Sequence, residues 1–520
     1  MGRLDFLETR LSGNNMTTKN ILAALAIVFC SLVLYLRQLL LPVDKRNHPK
    51  GKKWKLPPGP QGFPILGNLF LFAKGEQAAY ELAKFGEMAT AHLGSKLWVI
   101  LNSDRVATEL YDRRSRVTNG RPHYPIVGDL ISLNNRSVIM QTDGWTERRR
   151  VMHHLLNGTA LVQYQSYQDE ESIRMLSRYL ESPSGWYEHH HHYSNSVIHR
   201  VTFGERPNGN DEKVKAMAHA QKLFLLNSPP MNIYDHFPEL ATLPRIFQWW
   251  RAKYASIGQQ TFEAYSAYWN PHKEAIQGGR APPSFARDVL CGEGSYKGSD
   301  VDAMFLAAQL VEAGSDTTRL TLNIFALAAA TQPDKYLRAR TEIDALCGDA
   351  QRLPSFEDEK QLPYVNAFAK ELLRWRPIFL WTPEHTLTED LAFEGYHFPR
   401  GTHFVINQLA ISSGSEKVVD PPEFRPERWL DGYESDLTRG IWQFGGGRRV
   451  CVGHRLAQKS LFINMARLIY CFDYEARTPF DTRDISHFVE GEPFPVTPRV
   501  RSPSHAKLIT QALIEKKVLP

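Results

Sequence analysis

The chain has 520 residues, 42% of them hydrophobic and 23% charged, with a formal net charge of +6. That balance is globular in bulk, with length enough for a large core or several domains. Five unpatterned cysteines with no CxxC pair, no HExxH motif and no extended basic tract beyond one near the start exclude zinc-hydrolase and nucleic-acid readings and fit a reduced, cytosol-facing domain.

Residues 1–19 are largely polar. Residues 20–41 follow as an apolar run, Ile21 to Leu36 and then Leu39 to Leu41, close to the roughly 20 residues that a spanning helix needs. Arg37 falls where a long cation snorkels to an interface. No small-residue cleavage site follows, so a transmembrane signal anchor is preferred to a removed signal peptide. Lys45, Arg46, Lys50, Lys52, Lys53 and Lys55 come next and place that side in the cytoplasm. Residues 1–19 are then a lumenal tail, on which Asn15-Met16-Thr17 is an N-glycan acceptor. Residues 42–60 form a basic and proline-rich linker that ends in the stiff run Leu56-Pro57-Pro58-Gly59-Pro60.

Residues 61–520 read as one catalytic domain. Met88 to Asn102 has strand character with a turn at Gly94-Ser95-Lys96, which predicts a hairpin. Thr118 to Met140 is loop-like. Trp145 and Arg149, four apart, share a helical face. His189 to His192 is a histidine run with no second ligand cluster, so a structural role outweighs a metal site. Gln221 to Tyr254 mixes prolines with Phe224, Phe237, Phe247, Trp249 and Trp250, which suit either a core or an exposed apolar surface.

Val301 to about Thr331 predicts a long apolar helix of about 45 Å. Ala313-Gly314-Ser315-Asp316-Thr317-Thr318 lies inside it, and a glycine with several hydroxyls in mid-helix violates local propensity in the way functional sites do. Glu312, just before it, faces either substrate or a neighbouring helix. Glu371 and Arg374 are spaced for an ion pair on a helix ending at Arg376-Pro377. A cysteine loop then closes the pattern: Phe444-Gly445-Gly446-Gly447-Arg448-Arg449-Val450-Cys451-Val452-Gly453, leading into an amphipathic run from Leu456 to Tyr470. A cysteine at a helix start is favoured as thiolate, and thiolate ligates haem iron.

The spacing Phe444-Gly445-x-Gly447-x-Arg449-x-Cys451-x-Gly453 resembles the haem loop of the cytochrome P450 family, the haem-thiolate monooxygenases. The Trp145/Arg149 pair, the AGxDTT segment, Glu371-Leu372-Leu373-Arg374 with Pro426-Glu427-Arg428-Trp429, and Gly395-Tyr396-x-x-Pro399-x-Gly401-Thr402 extend the resemblance in the family's order. It implies a mainly α fold with a smaller β region, the cytochrome P450 fold, behind an N-terminal transmembrane helix. Cys451 is then the axial ligand of haem b, its loop including Phe444, Gly447 and Gly453. Arg449, Trp145, Arg149 and His385 bind the haem, largely through its propionates. Thr317 and Asp316 deliver protons, and Glu371, Arg374 and Arg428 form a structural triad behind the cysteine loop. Gln221 to Tyr254 resembles the helices and loop over the pocket, and Phe488 to Phe494 the terminal loop lining it.

The implied activity is insertion of one oxygen atom from O2 into a hydrophobic small molecule, in the style of filamentous-fungal members acting on secondary metabolites. No flavin or dinucleotide fingerprint is present, so electrons are expected from NADPH through NADPH-cytochrome P450 reductase, docked at basic residues such as Arg448 and Arg455. The expected location is the endoplasmic reticulum membrane, single-pass, with lipid as a partner and the catalytic domain cytoplasmic. A haem-thiolate lyase or isomerase using a peroxide, or a silent haem-binding protein, is the alternative, and retention of Thr317 and Asp316 weighs against both.

Overall fold

The computed structural model describes residues 44, 54–228, 232–291, 296–414, 419–480 and 494–516. The anchor over residues 20–41, Asn15, most of the basic linker and all of the Phe488–Phe494 loop but Phe494 lie outside them. No helix among the described residues is long and apolar enough to cross a membrane.

The molecule is mainly helical. Its longer helices are α1 (Thr142–Leu155), α2 (Thr159–Glu181), α3 (Trp186–Phe203), α4 (Glu212–Asn227), α5 (Arg251–Gln277), α6 (Asp300–Thr331), α7 (Pro333–Cys347), α8 (Pro363–Trp375), α9 (His454–Cys471) and α10 (Pro503–Glu515). Among the described residues the strands are β1 (Met88–Leu93), β2 (Lys96–Leu101), β3 (His385–Thr386), β4 (Leu391–Phe393), β5 (Tyr396–Phe398), β6 (His403–Ile406), β7 (Phe472–Ala476) and β8 (Val496–Val500). The main sheet runs β1-β2-β6-β3, with β2 and β6 parallel and the other pairs antiparallel. The predicted hairpin is β1–β2, turning at Gly94 with φ +61°. The Gly395-Tyr396 motif turns the β4–β5 hairpin.

Helix α6 starts where its capping chemistry dictates. The Ser299 hydroxyl accepts from the Asp302 amide at 3.2 Å and the Asp302 carboxylate accepts from the Ser299 amide at 3.1 Å, with acids at Asp300 and Asp302 facing the positive end of the helix dipole. It ends before Pro333, which opens α7 at a position needing no amide donor. Most of α6 is covered on every face, as a helix apolar all round must be. It packs on α3 and α9 in one large core that also takes in α2 and α8. A smaller core joins the main sheet to Tyr111, Phe398 and Trp442.

The segment from Trp442 to Gly453 passes between the two cores. Trp442 is buried in the sheet core and Phe444 packs against the helical one. Both modules therefore fix the cysteine that follows.

One departure from the sequence reading lies in the stretch Thr118–Met140. Pro125–Ile131 is helical, not loop. Its free amides are taken by a distant acid: Ile126 and Val127 donate to the two oxygens of Asp235 at 2.8 and 3.0 Å. A cap supplied from so far along the chain leaves no local mark in the sequence.

Candidate haem-thiolate site

The cysteine loop is shaped by two close approaches. Gly447 has φ +59°, and a Cβ there would lie 2.0 Å from the Tyr111 carbonyl oxygen; its own amide donates to Asp112 Oδ1 at 2.7 Å. Cys451 donates its amide to the Phe444 carbonyl at 2.7 Å, which closes the loop. Gly453 is the residue before α9, so the Cys451 sulfur stands at the positive end of that helix. Cys451 is exposed. The protein packed around the sulfur pushes the thiol pKa up, while the Gly453 amide and the Arg149 charge pull it down.

Several cations gather beside it. Arg449 is 9% exposed, donates Nε to the Asn119 carbonyl at 2.9 Å and lies flat on Trp145, 3.8 Å from guanidinium carbon to ring centroid. Its Nη1 and Nη2 are both buried and have no partner. Burial, with Arg121 and Arg149 nearby, pushes its pKa down to about 8. His385 on β3 is 3% exposed and stacks on Tyr111 at 3.8 Å, and its Nδ1 has no partner. Burial, then the Arg121 and Arg449 charges, holds its imidazole neutral. Arg149 is half-buried on α1, and its charge reaches Cys451.

An unpaired buried guanidinium is costly, and two empty donor nitrogens ask for a bidentate acid. A soft sulfur, an unfilled arginine fork and an unfilled imidazole nitrogen together fit a flat, doubly acidic iron macrocycle. Cys451, Arg449, Trp145, Arg149 and His385 are the residues available to hold it.

The AGxDTT segment occupies the middle of α6. Ala313 is exposed there although most of the helix around it is covered. Gly314 packs against Ile198 of α3 so closely that a Cβ would sit 2.5 Å from Ile198 Cγ1. The Thr317 hydroxyl donates to the Ala313 carbonyl at 2.9 Å. Asp316 pairs with Arg319 at 2.8 Å and accepts from the Gln221 amide of α4 at 2.9 Å. The same Gln221 amide donates to the Glu312 carbonyl at 2.8 Å. Glu312 itself faces protein: it accepts from Arg136 Nη2 at 3.0 Å and also from the Tyr265 hydroxyl, in a buried cluster that joins residues near Met140 to α5 and α6.

Glu371 accepts from Arg374 at 2.6 and 2.9 Å and from Arg428 Nε at 3.1 Å. The Arg425 amide and the Trp429 indole, each at 2.8 Å, complete its shell. Glu371 is wholly buried, and a charge so placed is held by full hydrogen bonding, not by Coulomb attraction alone.

The histidine run serves packing. His190 lies 2.6 Å from the Tyr179 hydroxyl and 2.8 Å from Asn323 Oδ1, and His189 Nε2 lies 2.8 Å from the Ser182 carbonyl. Among the described residues no group of histidines, cysteines and acids is placed to hold a metal ion. Of the aromatics between Gln221 and Tyr254, Phe237 and Trp250 are buried while Phe247 and Trp249 are exposed, so both uses occur.

Sequence reading missed Arg121, Arg136 and Gln221. Each acts across a long separation in the chain, and only the Arg121-Pro122 pair hinted at a fixed backbone.

The family model for cytochrome P450 matches residues 57–492. Curated relatives include cytochrome P450 monooxygenase aneD of Aspergillus aculeatus, 33% identical over 482 residues that cover 90% of this chain and 92% of the relative. Cytochrome P450 monooxygenase fogE of Aspergillus ruber is 32% identical, covering 88% and 86%, and FrzL of a Cladobotryum species is 29% identical, covering 88% and 90%.

Proposed function

This chain belongs to the cytochrome P450 family and carries out an oxygenase reaction, and from that premise we propose that it is a membrane-anchored haem-thiolate monooxygenase placing one oxygen atom of O2 into a lipophilic small molecule. Fungal secondary metabolism is the proposed setting, as the source organisms of the relatives suggest. The observation that carries the reading is the Arg449 guanidinium, stacked on Trp145 and left with two empty buried donors beside Cys451.

Haem iron, when bound, supplies the O2 chemistry, and a thiolate ligand favours O–O cleavage. The remaining work falls to the chain. Cys451 offers its sulfur at the start of α9. Arg449 and His385 offer the unfilled donors to the propionates, with Trp145 and Arg149 on the same helical face supporting them. Asp316, held by Arg319 and Gln221, takes protons from the solvent side. Thr317 passes them inward, which requires its hydroxyl to release the Ala313 carbonyl that it now caps. The Glu371, Arg374 and Arg428 group holds the backbone behind the loop.

Electrons come, in this reading, from NADPH through NADPH-cytochrome P450 reductase. Arg448 and Arg455 are both exposed on the cysteine side and suit an acidic partner surface. Lipid contact is supported by Ile246, Trp249 and Phe247, which are 84, 74 and 59% exposed. The proposed domain order is the lumenal tail 1–19, anchor 20–41, linker 42–60 and catalytic domain 61–520.

The test is turnover in microsomes holding this chain and the reductase, with NADPH, heavy-isotope oxygen gas and a lipophilic extract of the host. The expected product carries one labelled oxygen. Substrate consumption without NADPH or label would replace this reading with the lyase or isomerase one.

A further inference from the structure

Glu312 lies one helical turn before Asp316, on the same face of α6. Its carboxylate is engaged at both oxygens. Oε1 accepts from Arg136 Nη2 at 3.0 Å and from the Tyr265 hydroxyl, and Oε2 accepts from Arg136 Nη1. Arg136 is 2% exposed, and its Nη2 also donates to the Tyr265 oxygen at 2.6 Å. Burial, with the Glu312 charge and against that of Arg136, raises the Tyr265 pKa, so the phenol stays a donor. The chain on either side of Arg136 is fixed as well. Gln309 of α6 accepts from the Ser137 amide at 2.6 Å and donates to the Asn135 carbonyl at 3.1 Å. Two consecutive turns of α6 therefore hold the Arg136 guanidinium in one place.

That guanidinium is the seat of α4. The Phe224 ring lies over it, 3.9 Å from ring centroid to guanidinium carbon. Gln221 is on the same face of α4, three residues earlier. Its amide nitrogen bridges two groups of α6, the Glu312 carbonyl at 2.8 Å and Asp316 Oδ2 at 2.9 Å. Asp316 Oδ1 takes Arg319 at 2.8 Å. Glu312 thus meets α4 twice: through its side chain by way of Arg136 and Phe224, and through its carbonyl directly on Gln221. A shift of α4 on α6 moves the amide that holds Asp316 Oδ2.

We propose that Glu312 is a positioning residue of the proton relay: it fixes Arg136 beneath Phe224, which sets the seat of α4, and through Gln221 it aims the carboxylate of Asp316. Stability alone does not ask for this ion pair, since well-packed apolar groups in place of a buried pair commonly cost nothing. What the pair supplies is direction. A carboxylate that takes both ends of the guanidinium fork fixes its plane and its position together. The inference rests on the monooxygenase reading for the role of Asp316, whereas the tie from Glu312 to α4 rests on the contacts alone.

The test uses microsomes holding the full haem-loaded chain and the reductase, with NADPH, heavy-isotope oxygen gas and the lipophilic extract of the host. Glu312→Gln, Phe224→Ala and Gln221→Leu are compared singly and in pairs. Glu312→Gln and Phe224→Ala should each lower labelled product per NADPH by about threefold or more. Each should also raise the solvent deuterium isotope effect on product formation, because a misaimed donor slows proton transfer. Neither should add to the loss that Gln221→Leu causes, since both act through that amide. Phe224→Tyr, which keeps a ring over the guanidinium, should behave as the wild type. Phe224 is half-buried and uncharged, so its variants fold whatever the fate of Glu312→Gln, which strands the Arg136 charge.

Amide hydrogen exchange, read by mass spectrometry on the same haem-loaded proteins without turnover, is the second measure. Exchange in α4 should speed up by about threefold or more in Glu312→Gln and in Phe224→Ala. Additive losses in the paired variants, an unchanged isotope effect, or α4 exchange at the wild-type rate in both single variants overturns the proposal; the first result would make the cluster a packing contact only. No labelled product from the wild type, with α4 exchange sped up in both variants, would overturn the monooxygenase reading and the relay role with it, and would leave the tie between Glu312 and α4 standing.

Discussion

Arg449 concentrates the chemistry of the site in one side chain. It is buried, stacked and half-filled with hydrogen bonds, so its charge is a burden to the protein alone and an asset once an acid arrives. Arg449→Met should therefore weaken haem retention by about tenfold or more, because two charge-assisted bonds are lost. The haem-free chain, measured in parallel, should lose no thermal stability from the same change; a clear fall in its melting temperature would make Arg449 a structural residue. Asp316 and Gln221 form the second residue-scale case. Asp316→Asn should lower product formation by about a hundredfold or more, the usual scale for a lost proton donor. Gln221→Leu should lower it less and raise the NADPH consumed per product, since Asp316 keeps Arg319 but loses its tie to α4. The Cys451 loop was legible from sequence because its determinants are contiguous. Gln221 was not, because nothing in the sequence near it points across to α6.

At the scale of elements, α6 and α3 meet through the absence of a side chain. Gly314→Ala should destabilise the protein by about 1–3 kcal/mol through overpacking on Ile198, and Ile198→Ala in the same chain should recover part of it. Chemical denaturation of the two single variants and the double one checks this; additive losses would mean that the pair does not meet. The histidines of α3 give a pH prediction. Burial pushes His190 down to about 3 and His199 to about 4. Each stays neutral when folded but takes a proton near its ordinary value of 6.5 when unfolded. Stability is therefore full above that value and falls as pH drops toward the folded pKa, by about 1.4 kcal/mol per pH unit for each histidine. His190→Gln should flatten the fall of the denaturation midpoint between neutral pH and about pH 5. Helix α6 was readable end to end, since a serine cap, an apolar run and a proline stop all agree. The Pro125–Ile131 helix was not, because the acid that caps it comes from residue 235.

At the scale of the whole molecule, two cores grip one loop. The helical core holds Phe444 and α9, the sheet core holds Trp442 and the His385 strand, and the cysteine and its arginine lie where they join. The family pattern spread along the sequence reflects that arrangement: each motif is local, but their meeting requires the whole domain. Reversing the exposed Arg448 and Arg455 to glutamate should slow reduction by the proposed reductase several-fold at low salt, with the difference shrinking as salt rises. A rate independent of both charge and salt would remove those residues from the docking surface. The most direct measurement is the carbon monoxide difference spectrum of the reduced, haem-loaded chain beside its Cys451→Ser variant. The wild type should show the long-wavelength band of thiolate-ligated haem, and the variant should lose it while still retaining haem on Arg449 and His385. A variant that keeps the thiolate band would place the iron on another ligand and contradict the site described here.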